Sequence, residues 1–283
     1  MVASVLLGGC TQVFGLAPTE QQPVTDAAFF DAPADAPFAC PPIGETPQFS
    51  RVLNQIVQSC GEYSATTEGR AVALCTEPAN QLAEGPLDGL LIPIAGLEQT
   101  AELHVDFARY APEGDELFVR SWTQSTTIGR IRVYRRQAEG FVYTHDVALP
   151  GQTTDSFVRF GTPSRGPRRR MMVRNNAFAY QEIEFDAAGT AVLIASYVAA
   201  DLGVTSITQS PPNLTPDGLR LVFAGSTTNA SGVLYSDRAS LADRFQPGRL
   251  LPGIPINPTP FLTHDCARIY VSAIGYVFWV QRL

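Results

Sequence analysis

Leu214-Thr215-Pro216-Asp217-Gly218-Leu219-Arg220-Leu221-Val222-Phe223-Ala224-Gly225-Ser226 reads as a tight turn that opens into a run of apolar residues. Asp can bond the backbone two residues on and Gly accepts φ > 0, so Asp217-Gly218 is turn chemistry rather than a catalytic signature. Diverged copies of the phrase stand at Thr67-Glu68-Gly69, Pro112-Glu113-Gly114, Ser164-Arg165-Gly166 and Thr263-His264-Asp265-Cys266, each ahead of an apolar run. Anchored on Gly69, Gly114, Gly166, Gly218 and Cys266, the steps are 45, 52, 52 and 48 residues. A repeat of that length carrying several short strands is the pattern of a β-propeller blade. The expectation is therefore an all-β fold, a single propeller over residues 43–283 with five blades. A further phrase at Phe185-Asp186-Ala187-Ala188-Gly189 is the six-blade alternative, but its steps of 23 and 29 residues are short for a blade.

Between the phrases, strand patterns dominate. Blade 2 reads as 103–110, 116–121, 130–135 and 141–147, blade 3 as 157–160, 170–174, 179–185 and 191–197, and blade 4 as 206–214, 219–224, 232–236 and a looser 245–251. Blade 5 supplies only 260–262, 267–272 and 276–281 before the chain ends. A missing outer strand would leave an open edge. The run Phe49–Val57, ahead of blade 1, is expected to fill that place and close the ring.

Five cysteines add detail. Cys60 and Cys75 are equidistant from the turn 66–69, so a hairpin there sets them face to face within disulfide reach. That leaves Cys40 to pair with Cys266, joining the start of the domain to its last blade. Spacings of 20, 15 and 191 residues match no zinc pattern, and no metal or cofactor is expected. The first cysteine stands apart. Leu7-Gly8-Gly9-Cys10 resembles a bacterial lipobox, which implies cleavage before Cys10 and lipid on that cysteine. The charged and most of the apolar region of such a leader are missing from residues 1–9, so an upstream start is expected. Residues 10–42, rich in Ala, Pro, Asp, Thr and Gln, read as a flexible tether.

The phrase at 214–223, with its diverged copy Leu262-Thr263-His264-Asp265-Cys266-Ala267-Arg268-Ile269-Tyr270-Val271, resembles the WD40-like repeat of TolB-type propellers. The resemblance implies a propeller scaffold in an exported envelope protein, commonly a docking surface, and it brings no catalytic residues.

Charge and motif content narrow the function further. The chain carries a net charge of −7, and all 20 of its basic residues are arginine, which speaks against nucleic-acid binding and for a GC-rich genome. The densest cationic stretch, Arg165, Arg168, Arg169, Arg170 and Arg174, is a candidate patch for an anionic partner. Trp122, Arg165, Arg168 and Tyr276 are candidate loop contacts. His104, His145 and His264 read as scattered over different blades, His264 as a turn residue. Phosphate-loop, dinucleotide and hydrolase-elbow motifs are absent. Some propellers hydrolyse glycosides with channel carboxylates, for which Asp106, Glu182, Glu184, Asp186 and Asp217 are the candidates; Glu182 and Glu184 read as the solvent face of an outer strand, and Asp217 as a turn cap. The expected function is a non-enzymatic, lipid-anchored propeller, monomeric, binding an envelope protein or polysaccharide and touching the membrane only through its lipid. An envelope glycoside hydrolase is the alternative.

Overall fold

The computed structural model describes residues 40–283 apart from 52–53, 57–59, 77–80, 98–102, 124–125, 152–157, 175–178, 255–258 and 274–275. Cys10, the leader-like segment and nearly all of the tether lie outside the described residues. Five antiparallel sheets follow one another along the chain. Blade 1 is Cys60–Ala65, Arg70–Cys75, Gln81–Pro86 and Ile92–Pro93. Blade 2 is Leu103–Tyr110, Glu116–Thr123, Thr126–Gln137 and Gly140–Val147, and blade 3 is Arg159–Phe160, Arg169–Arg174, Ala179–Phe185 and Ala191–Val198. In blade 4 the first strand comes in two pieces, Ser206–Ile207 and Asn213–Leu214, both paired with Arg220–Ser226, followed by Ser231–Asp237 and Arg249–Leu250. The break falls at Pro211-Pro212, which cannot donate to a ladder. Blade 5 is Thr259–Leu262, Arg268–Ala273 and Tyr276–Gln281.

The packing shows why these sheets form a ring. The second strand of every blade is apolar at successive positions because both of its faces are buried, and its side chains alternate between two neighbours. Leu221 and Phe223 enter the core shared with blade 3, whereas Val222 enters the core shared with blade 5. Met172 likewise faces blade 4 while Met171 and Val173 face blade 2. Five cores result, between blades 1 and 2, 2 and 3, 3 and 4, 4 and 5, and 5 and 1. That cycle closes a five-bladed propeller. The phrase at 185–189 is the turn between the third and fourth strands of blade 3, where Asp186 accepts from the Ala188 and Thr190 amides, so no sixth blade exists there.

Closure uses the N-terminal segment. Asn54–Ile56 runs antiparallel to Tyr276–Gln281 as the fourth strand of blade 5, with Asn54 opposite Trp279. The Ser50 amide donates to Gln281 O (2.8 Å) and the Leu283 amide to Gln48 O (2.9 Å). The Cys40–Cys266 disulfide ties the same segment to the blade 5 turn, and Cys60–Cys75 bridges directly opposed residues of blade 1.

Candidate functional site

The first strands of neighbouring blades pack on one another, which makes them the axial strands. Two of them carry a bulge, and at each bulge stands an acid. In blade 1 the register shifts between Gly61 and Ser64, and Glu62 adopts φ 59°, a left-handed conformation uncommon outside glycine. In blade 2 the shift falls between Val105 and Phe107, at Asp106. A bulge re-aims a side chain, and here both acids turn to arginines.

Glu62, on blade 1, touches three other blades. Its amide donates to Ser272 Oγ of blade 5 (2.9 Å), and its carbonyl accepts from Arg109 Nη1 of blade 2 (2.7 Å). Its carboxylate accepts a hydrogen bond from Arg159 of blade 3, across the axis, and lies 3.8 Å from Arg109 Nη2. Arg109 is 1% exposed; burial pulls its pKa down to about 10, against the pull of Glu62. Asp106 is held in the same manner. It accepts from Arg120 Nε (2.6 Å) and Nη2 and from Trp122 Nε1 (3.3 Å), and His104 stacks on the Trp122 ring at 4.2 Å. Arg120 reaches on to Val158 O of blade 3 (3.3 Å).

The remaining sequence candidates disperse. Glu182 lies on a third strand, away from the axis, and is fully buried rather than solvent-facing: Arg238 of blade 4 grips both its oxygens (2.8 and 3.0 Å). A charged residue alternating with apolar ones looks solvent-exposed until its counter-ion arrives from the next blade. Glu184 pairs with Arg168 and Arg170 (3.3 Å each). Asp186 and Asp217 cap turns. The arginine stretch is not one cationic face. Arg165 pairs with Glu113, Arg169 with Glu116 and Arg170 with Glu182, whereas Arg174 ends the strand at the opposite edge of the blade. Trp122 belongs to the Asp106 cluster; the Tyr276 side chain lies outside the described residues. His104 and His145 both belong to blade 2, on its first and last strands, and so are not on separate blades. His264 is buried in the blade 5 turn, its Nε2 2.7 Å from Ala65 O of blade 1. Among the described residues no three His, Cys, Asp or Glu side chains converge as metal ligands.

Sequence reasoning missed Glu62, Arg109 and Arg159 altogether. A Gly-Glu step inside the first strand of blade 1, at Gly61-Glu62, is the trace of the bulge in the sequence. It also missed a second layer of ion pairs at the turn-phrase end of the blades. Glu84 meets Arg136, Glu116 meets Arg169, Glu182 meets Arg238 and Asp88 meets Arg268, each across a blade boundary. At the boundary of blades 4 and 5, Arg220 bonds Asp237 (2.9 Å) and Pro41 O (2.7 Å), and so grips the segment that Cys40 anchors.

No family model and no curated protein matches the chain. Among solved structures it is similar to TolB from Acinetobacter baumannii, at 13% identity and TM-score 0.42, covering 79% of this chain and 43% of that one. The apo form of prolyl oligopeptidase B from Galerina marginata gives 11% identity and 0.44, covering 77% of this chain and 31% of that one. The gluconolactonase XC5397 from Xanthomonas campestris gives 12% and 0.48, covering 79% and 72%. The chain thus spans under half the length of the first two. These likenesses concern the propeller architecture, which the chain's own blades establish, and reach no activity.

Proposed function

We propose that this protein is an exported, lipid-anchored propeller that works by binding, presenting its channel side to an envelope protein or polysaccharide. The observation that carries the reading is the state of the axial acids. A glycosidase needs one carboxyl to protonate the leaving group and a second to attack or to activate water. Glu62 instead gives one oxygen to Arg159 and keeps the other 3.8 Å from Arg109, and Asp106 gives both of its oxygens to Arg120. Two disulfides support export, because such bonds persist in oxidising compartments. The Cys10 lipobox supports anchoring.

Immobilised protein is to be challenged with neutral and acidic envelope polysaccharides and with solubilised envelope proteins, while release of reducing ends is followed. Retention of a ligand without release supports the binding reading. Release that disappears in Glu62→Gln or Asp106→Asn would establish the hydrolase instead. For the anchor, the chain is expressed behind a complete lipoprotein leader; Cys10→Ala is expected to move it from the membrane fraction to the soluble one, and unchanged partitioning would remove the lipid from the account.

A further inference from the structure

Arg174 closes the second strand of blade 3, and Tyr180 stands directly opposite it on the third. Directly opposed residues share a sheet face, here the face toward blade 4. Tyr180 is a member of the core between those blades, its ring meeting Phe223 edge-on at 6.0 Å, and the Arg174 guanidinium donates to the Thr208 carbonyl of blade 4. Both are deeply buried, Arg174 at 5% and Tyr180 at 0% exposure.

Arg174 has a hydrogen-bond acceptor but no counter-charge among the described residues, and Tyr180 has neither. Four other arginines are buried to this degree, and each has a carboxylate within ion-pair distance: Arg109 has Glu62, Arg120 has Asp106, Arg220 has Asp237 and Arg238 has Glu182. Arg174 alone among them has no acid among the described residues. The Tyr180 hydroxyl is likewise buried without a hydrogen-bond partner. A guanidinium does not escape by losing its proton, so a buried one calls for a counter-anion. Burial draws the Arg174 pKa down against the opposing pull of Tyr180, and Arg159 in register beside it adds to the fall.

We propose that Arg174 and Tyr180 form an anion site between blades 3 and 4 that takes the carboxylate of a small ligand or of an acidic sugar. The donor set selects that chemistry. A guanidinium fork holds two oxygens of one planar monoanion, and the phenol adds a third donor to one of them. The Arg174 charge matches a carboxylate, because the neighbouring Arg159 is already paired with Glu62. The site stands whether or not the protein is a binding scaffold, since it follows from a buried guanidinium with no acid beside it among the described residues and an unbonded phenol on the same face.

Thermal shift and titration calorimetry on the full chain test it, with sodium glucuronate and sodium acetate as probes and with glucose and sodium chloride at matched ionic strength as controls. Both carboxylates are expected to bind and to raise the melting temperature, while glucose and chloride do neither. Glucuronate binding tighter than acetate identifies an acidic sugar as the source; equal binding identifies a free small carboxylate. Arg174→Leu is expected to fold in anion-free buffer and to lose at least about tenfold in affinity, and Tyr180→Phe to lose about 2- to 10-fold, the worth of one hydrogen bond. Should the leucine variant fail to fold, the phenylalanine variant decides. An equal response to chloride means an adventitious ion only and overturns the proposal. So does a missing carboxylate response, or one that survives unchanged in the variants.

Discussion

Glu62 binds blade 5 through its amide, blade 2 through its carbonyl and blade 3 through its carboxylate, all from a left-handed backbone conformation. Replacing it with glutamine would keep the shape and the bulge but take the carboxylate charge away from Arg109, which is buried beside it, and from Arg159. Breaking a buried ion pair from one side costs about 3–5 kcal/mol. The loss in Glu62→Gln is expected near the lower end because Arg159 keeps 23% of its side-chain surface in solvent. Equilibrium urea unfolding measures it, and a midpoint equal to wild type would show the pair to be idle. The same residue explains the placement of the first disulfide. Near the turn, Ser64 faces Val72 and Ala65 faces Ala71, a register that would set Cys75 opposite Gly61; the bulge at Glu62 absorbs one residue and brings Cys60 opposite Cys75. Counting outward from the turn therefore reached the right pair without the bulge that makes it so. His264 supplies a pH prediction. Burial, with Arg165 nearby, lowers its pKa to about 4 against the opposing pull of Asp265 and the Ala65 carbonyl, while the unfolded chain titrates near 6.5. Between those values the unfolded state binds more protons, so stability is complete above about pH 6.5 and declines as pH falls toward 4. The decline amounts to about 3–4 kcal/mol at about 1.4 per pKa unit. His264→Gln, which keeps a donor for Ala65 O, should flatten the stability–pH curve across that window; a curve unchanged from wild type would take His264 out of the acid response.

At the scale of elements, the turn phrase is a hydrogen-bonded device with interchangeable parts. Thr215 donates to Asp217 (2.6 Å) and accepts from the Arg220 amide (3.1 Å), while Asp217 accepts from the Leu219 amide (3.0 Å). Thr263 and Asp265 repeat the arrangement at 2.6, 3.0 and 2.9 Å, with Cys266 at φ 55° where Gly218 has 70°. Removing Asp217 takes two hydrogen bonds from a half-exposed turn, so Asp217→Ala is expected to cost about 1–2 kcal/mol with the fold kept. The denaturant midpoint reads it, and global unfolding at ambient temperature would mean the turn carries more than its bonds. These phrases were legible in the sequence because turn chemistry is local, and the strands between them because both-sided burial makes them continuously apolar. The short outer strand of blade 4, Arg249–Leu250, was less so: its looser pattern at 245–251 holds Pro247 and Gly248. The ion pairs between blades were not legible at all. Glu84 and Arg136, or Asp88 and Arg268, stand 52 and 180 residues apart, and only the ring brings them together.

At the scale of the molecule, closure depends on contacts that the repeat does not encode. Four of the five boundaries join blades consecutive in the chain; the fifth joins blade 5 to blade 1, and the closing strand that completes blade 5 contributes three described residues, Asn54–Ile56. The Cys40–Cys266 bond reinforces this closure over a separation of 226 residues, against 15 for Cys60–Cys75. Loop-closure entropy makes the long bridge worth about 5 kcal/mol and the short one about 3. Cys40→Ser should therefore lower the melting temperature more than Cys60→Ser. Each blade buries both faces of its sheet against two neighbours, so opening the ring at one boundary exposes core on both sides of it and undermines the rest. Calorimetry of Cys40→Ser is thus expected to show one transition, shifted down but undivided. Two separated transitions would mean that blade 5 leaves first, and that the disulfide rather than the five shared cores makes the propeller a single cooperative unit.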